Sequence, residues 1–277
     1  MLCADGNICG TRYPLLLLHG AGARDFKRAN YWGRIPEALE RRGASVYHGY
    51  QDGWGTVEYN AGVIRDRVND ILRGTGCEKL NIIAHSKGGL EARYLISALG
   101  MANHIASLTT IATPHRGSKT YDIFYRMPKF LYKVFSAPID LVFRMLGDKN
   151  PDFFTASRIF STKEAELFNE MNPDSERVYY QSYAAVMRNS FSDILMAVPH
   201  FFVRLVEGEN DGLVTPGSAK WANFKGILRG AANRGASHID VTDARRRRLT
   251  IGLGDGCVSD ICDVYVDIAA QLKNMGF

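Results

Sequence analysis

The chain has 277 residues, 46% of them hydrophobic and 23% charged. That length holds one large domain or two small ones and buries a core without staples, so disordered, collagen-like and disulfide-scaffold classes are excluded. The net charge of +5 does not by itself point to nucleic acid, and its one dense run, Arg245 to Arg248, reads as a solvated helix face. Five cysteines, Cys3, Cys9, Cys77, Cys257 and Cys262, include no C-x-x-C pair. They argue for reduced thiols rather than a zinc ribbon or a complete disulfide framework. The opening residues Met1 to Gly6 lack a charged region followed by an apolar core, and the apolar run at Leu15 to Leu18 is too short for a leader or a membrane span. A cytoplasmic location is the expectation, with secretion the alternative for a chain whose leader has been removed.

Apolar runs alternate with segments of helical period through the first half. Pro14 to His19 reads as a buried strand, Tyr31 to Arg41 as a helix closed by Gly43, and Ala44 to Tyr50 as a second strand. Tyr59 to Arg73 repeats apolar residues at helical spacing and stops at Gly74; Lys79 to Ala84 is a third strand. Gly88 to Leu99 is a helix stopped by Gly100, and Ile105 to Ala112 a fourth strand. Such alternation predicts an α/β fold, a mostly parallel central sheet flanked by helices, with function at the carboxyl ends of the strands. Between about Lys119 and Asn172 the pattern breaks. The segment is rich in Phe, Leu and Tyr and is cut by Pro128, Pro138 and Pro151, so it reads as two or more short helices inserted between strands. Arg177 to Val186 returns to strand character. Ser192 to Val206 is ambiguous between helix and strand, Phe224 to Leu228 reads as a last short strand, and Asp260 to Lys273 as a closing amphipathic helix.

Ala84-His85-Ser86-Lys87-Gly88-Gly89 follows a strand and opens a helix, the context of a nucleophile elbow. The sharp turn needs small residues two before and two after the nucleophile, and Ala84 and Gly88 supply them, with Ala standing where Gly is usual. An N-cap serine at an ordinary strand-to-helix turn is the plainer reading of the same residues. An oxyanion would be held by backbone N–H groups of Lys87, after the nucleophile, and of Ala21, in the loop His19-Gly20-Ala21-Gly22 after the first strand. The Lys87 ammonium could approach the site or point to solvent. With an elbow of this kind the acid and then the base follow the serine in sequence. His238, in the small-residue loop Arg234-Gly235-Ala236-Ser237-His238, is the only histidine beyond His200 and is the candidate base. Asp211, in Asn210-Asp211-Gly212, is the candidate acid, although such a tripeptide also makes an ordinary turn. Glu207 and Glu209 are the nearest rivals, and Asp193 a further one.

Tyr31-Trp32-Gly33-Arg34-Ile35-Pro36, Asn81-Ile82-Ile83-Ala84-His85-Ser86-Lys87-Gly88-Gly89, Thr109-Thr110-Ile111-Ala112-Thr113-Pro114-His115-Arg116-Gly117-Ser118, Asn210-Asp211-Gly212-Leu213-Val214 and Ser237-His238-Ile239-Asp240 occur in this order. Together they resemble bacterial triacylglycerol lipases of the α/β-hydrolase superfamily, most strongly over residues 13–120 and again over 207–240. The resemblance implies one α/β-hydrolase domain over 1–277, with Ser86 as nucleophile, Asp211 as acid, His238 as base, and Ala21 and Lys87 as oxyanion donors. It implies that residues 119–172 form a helical cap or lid over an acyl-binding groove. Some members hold a structural Ca²⁺ through the Asp two positions after the base, here Asp240. The Gln that follows in those members is Ala244 here, so no metal or cofactor is expected. The expected activity is hydrolysis of acyl esters, most of all acyl glycerols, with a lipid interface as a partner and no nucleic acid. A short-chain esterase or acyl thioesterase, and a non-catalytic binding protein on the same scaffold, are the alternatives that the residues leave open.

Overall fold

The computed structural model describes residues 6–25, 31–230, 234–246, 248–253 and 257–277. Strand β1 (Leu15–Leu18) is four leucines in a row, none of them exposed. A strand covered on both faces needs no polar alternation. Leu15 and Leu17 pack toward helices α1 (Ile35–Glu40) and α10 (Ile261–Asn274), whereas Leu16 and Leu18 pack toward α2 (Val57–Thr75) and α3 (Lys87–Ile96). Each buried leucine contributes about 1.5–3 kcal/mol, so this strand anchors both cores. β2 (Val46–His48), β3 (Leu80–His85), β4 (Ile105–Ile111), β5 (Tyr179–Val186) and β6 (Asn223–Gly230) join β1 in a parallel sheet. Antiparallel β7 (Thr250–Leu253) and β8 (Cys257–Asp260) extend it to the order β2-β1-β3-β4-β5-β6-β7-β8.

Between β4 and β5 lie α4 (Lys119–Tyr125), α5 (Lys129–Met145), α6 (Phe153–Ala156) and α7 (Thr162–Met171). The expected helical insertion is present, but Pro138 does not divide it: α5 runs through this proline, which removes one backbone donor from a helix of seventeen residues. The ambiguous stretch at 192–206 is mainly helix α8 (Ala197–Glu207). Pro199 falls in its first turn, where the N–H has no intrahelical partner to lose. Helix α9 (Pro216–Ala219) is a single turn before β6.

Three boundaries differ from the sequence reading. α1 starts at Ile35 because Tyr31 to Arg34 are a turn in which Gly33 adopts φ +52° against Asp243. α2 passes Gly74 and stops at Gly76, which takes the left-handed conformation with φ 71°. β7 and β8 add a hairpin after the strand that was read as the last. The arginine run is not a helix face either: residues 243–245 form a turn, Arg246 and Arg248 are exposed, and Arg247 lies outside the described residues. Cys9, Cys77 and Cys262 are free thiols, whereas Cys3 and the Cys257 side chain lie outside what is described. Among the described residues no helix is long and apolar enough to cross a membrane.

Candidate active site

β3 hands the chain to α3 through a single residue, Ser86, whose backbone sits at φ 52° and ψ −129°. A non-glycine residue there is strained by about 1–3 kcal/mol, and the packing around it shows what holds it. A Cβ added to Gly88 would lie 2.5 Å from the His19 carbonyl oxygen, and one added to Gly20 would lie 2.9 Å from the Ser86 Cβ. The turn after β1 and the turn after β3 are therefore pressed together, and only glycines fit between them.

His238 arrives from the loop after β6. Its Nε2 stands 2.9 Å from the Ser86 hydroxyl, and its Nδ1 2.8 Å from the Asp211 carboxylate. Asp211 is fully buried. Its other oxygen accepts the N–H groups of Leu213 and Val214 at 3.0 and 2.8 Å, and its own carbonyl accepts the His238 N–H at 2.7 Å. A carboxylate can only accept, so Nδ1 carries the ring proton and Nε2 is free to accept from the serine. Serine, histidine and aspartate thus form one hydrogen-bonded chain.

The rival acids have other tasks. Glu207 accepts from the Ser118 hydroxyl at 2.6 Å and from Thr120 at the start of α4. Glu209 pairs with Arg229 at 3.0 Å on the surface. Asp193 binds the Ser237 hydroxyl at 2.6 Å, beside the His238 loop, and pairs with Arg245.

The Lys87 side chain turns toward neither the site nor solvent. It is buried and paired with Glu91 one helical turn on, and Glu91 also accepts from Asn60 of α2 at 2.7 Å. The Lys87 side chain therefore stands apart from the cleft. Ala21, after β1, lines the same cleft as Ser86, and neither the Ala21 nor the Lys87 N–H is taken by an acceptor among the described residues.

Sequence reasoning missed His85 and Tyr31. The His85 ring lies 4.5 Å from that of His238, and its Nδ1 is 2.6 Å from the Tyr31 hydroxyl. Burial, with the neighbouring His238 ring adding to it, pushes the His85 pKa well below 6.5, so a neutral ring stands beside the candidate base. The signal was the position itself, one residue before the serine.

The cleft has a volume of about 970 Å³ and opens at the carboxyl ends of the parallel strands. Ser86 and His238 share it with Trp54, Phe124, Phe160, Met196 and Phe202, contributed by the loop before α2, by the insertion, and by α8 with the turn before it. Elsewhere on the insertion and on α8 large apolar side chains face outward: Phe130, Phe135 and Met145 of α5 and Phe201 and Leu205 of α8 are exposed.

The sequence matches the alpha/beta hydrolase fold family over residues 13–197. It is 31% identical over 234 residues to a triacylglycerol lipase of Vibrio cholerae, covering 74% of this chain and 72% of that one. It is 28% identical over 263 residues to triacylglycerol lipase 2 of Saccharomyces cerevisiae, covering 89% and 74%. The chain belongs to the α/β-hydrolase lipase family. Its match to a Burkholderia plantarii triacylglycerol lipase, 33% identical, covers 62% of this chain and about half, 51%, of that protein. Among solved structures, a metagenomic carboxyl esterase shares the fold with a TM-score of 0.73 at 16% identity, over 99% of this chain and 79% of the other. A Bacillus licheniformis lipase in its mature form gives 0.60 at 17% identity, over 84% and 87%.

The metal that some members of this family carry beside the base does not suit the residues here. Ca²⁺ takes six to eight oxygens. The Asp240 carboxylate accepts the Ser237 N–H at 3.2 Å and faces Arg245 at 3.2 Å and Arg234 at 3.6 Å. Among the described residues no group of three or more His, Cys, Asp or Glu side chains is placed to hold a metal ion.

Proposed function

We propose that this chain hydrolyses carboxylic esters with long acyl chains, acyl glycerols above all. The observation that carries the reading is the Ser86–His238–Asp211 chain opening into an apolar cleft. The Ser86 oxygen attacks the ester carbonyl while His238 Nε2 takes its proton. Asp211 holds the ring and stabilises the imidazolium, and the N–H groups of Ala21 and Lys87 hold the oxyanion. His238 returns the proton to the leaving alcohol, and water releases the acyl group from Ser86 by the same route. No step calls for a cofactor. The chain acts as one domain, with residues 119–172 as a cap whose apolar face meets a lipid surface, which suits the exposed side chains of α5.

The test is hydrolysis of p-nitrophenyl esters from acetyl to palmitoyl, with Ser86→Ala alongside. Activity should rise toward long chains and fall at least about 10⁴-fold in the variant. Activity confined to short chains makes the protein an esterase. No turnover, with no labelling of Ser86 by a fluorophosphonate, refutes the reading.

A further inference from the structure

Among the described members of the arginine run, Arg245 is the one with a built seat. Its guanidinium grips Asp193 with two bonds, NH2 to Oδ1 at 2.7 Å and NH1 to Oδ2 at 2.5 Å, and its NH1 also reaches Asp240 Oδ1 at 3.2 Å. Asp193 is buried, and the Asp240 side chain is only 8% exposed. Ser237, immediately before His238, is held between them: its hydroxyl donates to Asp193 at 2.6 Å and its N–H to Asp240 at 3.2 Å, while its oxygen accepts the Asp240 N–H at 3.1 Å. Asp193 in turn leads into the cleft wall, since its carboxylate accepts the Leu195 N–H at 3.0 Å and its carbonyl the Met196 N–H at 3.1 Å. Met196 lines the cleft and packs over Gly212 beside Asp211. The segment that carries the base and the one that forms a wall of the cleft thus meet at a single guanidinium, and that wall packs in turn on the turn that carries the acid.

We propose that Arg245 is a positioning residue: a covalently attached cation that joins Asp193 to Asp240 and so holds His238 in register with Ser86. Its bonds to Asp193 and Asp240 occupy carboxylate oxygens that a metal ion beside the base would need. The chemistry favours arginine for the task. Two buried carboxylates within reach of each other repel unless a cation separates them. A planar guanidinium satisfies one carboxylate through two parallel bonds while a further N–H serves the second; an ammonium lacks that fork. An attached cation also cannot be removed by a chelator.

The proposal rests on the hydrolase reading for its kinetic consequence only. In Arg245→Ala, kcat on a soluble butyrate ester should fall about 10- to 100-fold with KM within about twofold, the cost of a misplaced base. The rate of fluorophosphonate labelling at Ser86 should fall by the same factor. Guanidinium chloride at a concentration too low to unfold the protein should restore at least a third of the loss, where sodium chloride at equal ionic strength restores none. Arg245→Lys should lie between wild type and Arg245→Ala. Asp193→Asn removes the other end of the grip without a cavity and should show the same kcat-selective loss, which covers an Arg245→Ala that fails to fold. The downfield proton signal of His238 Nδ1–H, sharp in the wild type, should broaden in the variants and sharpen again with guanidinium; this arm reads the loop even if no ester is cleaved. A kcat and an NMR signal unchanged in folded Arg245→Ala, a loss confined to KM, or a loss that sodium chloride reverses as well as guanidinium overturns the proposal. Wild-type protein that neither cleaves esters nor labels at Ser86, yet shows the guanidinium-dependent signal, refutes the hydrolase reading and leaves the clamp standing.

Discussion

Lys87 separates what a backbone does at this site from what a side chain does. Its N–H sits at the elbow, while its ammonium is locked to Glu91 in the layer between α2 and α3. Replacing it with methionine leaves a buried carboxylate without its cation and should cost about 3–5 kcal/mol of stability, read from denaturant unfolding. The pH–rate profile on a soluble ester should superimpose on that of the wild type, because no side-chain charge near His238 changes; a displaced profile would mean that the ammonium tunes the base. Neither the pair nor its burial was read from the sequence, although lysine and glutamate four apart on a helix are neighbours. Ser86, Asp211 and His238 were legible because order along the chain restricts the choice. Arg245 was not: a run of four arginines looks like a solvated surface until Asp193, fifty-two positions earlier, is known to lie against it.

At the scale of elements, the strands were legible wherever an apolar run ended at a glycine or a proline, as with β1, β3 and β4. The β7–β8 hairpin was not, because four-residue strands carry too few positions for a period to register, although Asp255-Gly256 was a turn signal in the sequence. Pro138 was misjudged for a different reason. A proline costs a helix one hydrogen bond and a steric clash, and the seventeen-residue α5 absorbs that at an exposed position. Helix α5 keeps only Ser136 buried while Phe130, Phe135 and Met145 face outward. Changing these three to serine should lower kcat/KM on an emulsified long-chain ester about tenfold relative to that on a soluble short-chain ester. An unchanged ratio would assign the face to something other than lipid contact.

The whole molecule carries two groups of buried ionisable side chains that oppose acid. Burial pushes the pKa values of His85 and His115 well below 6.5. As the pH falls below that value the unfolded chain binds protons at these rings and the folded chain does not, so stability present above pH 6.5 declines by up to about 2–3 kcal/mol per pH unit. Asp193 acts lower. Burial raises its pKa, but the bonds from Arg245 and Ser237 outweigh that and bring it to about 2 against an ordinary 3.8, so its contribution is full above 3.8 and is lost as the pH falls toward 2. Thermal unfolding should therefore show a plateau above pH 7, a decline starting near pH 6.5 and a further one below pH 4. A melting temperature unchanged from pH 7 to pH 5 would mean that the buried rings charge in the folded protein.

The sheet ends in β2, of three residues, and β8, of four. Strands that short offer little backbone for a second molecule to pair with. Many of the exposed large apolar side chains lie elsewhere, on α5 and α8. Contact between these faces of two molecules is the expected route of self-association in water; a nonionic detergent should disperse it, and the lipid contact proposed above would compete for the same side chains. On the proposed reading, storage and delivery to a lipid surface would then be opposite ends of one equilibrium.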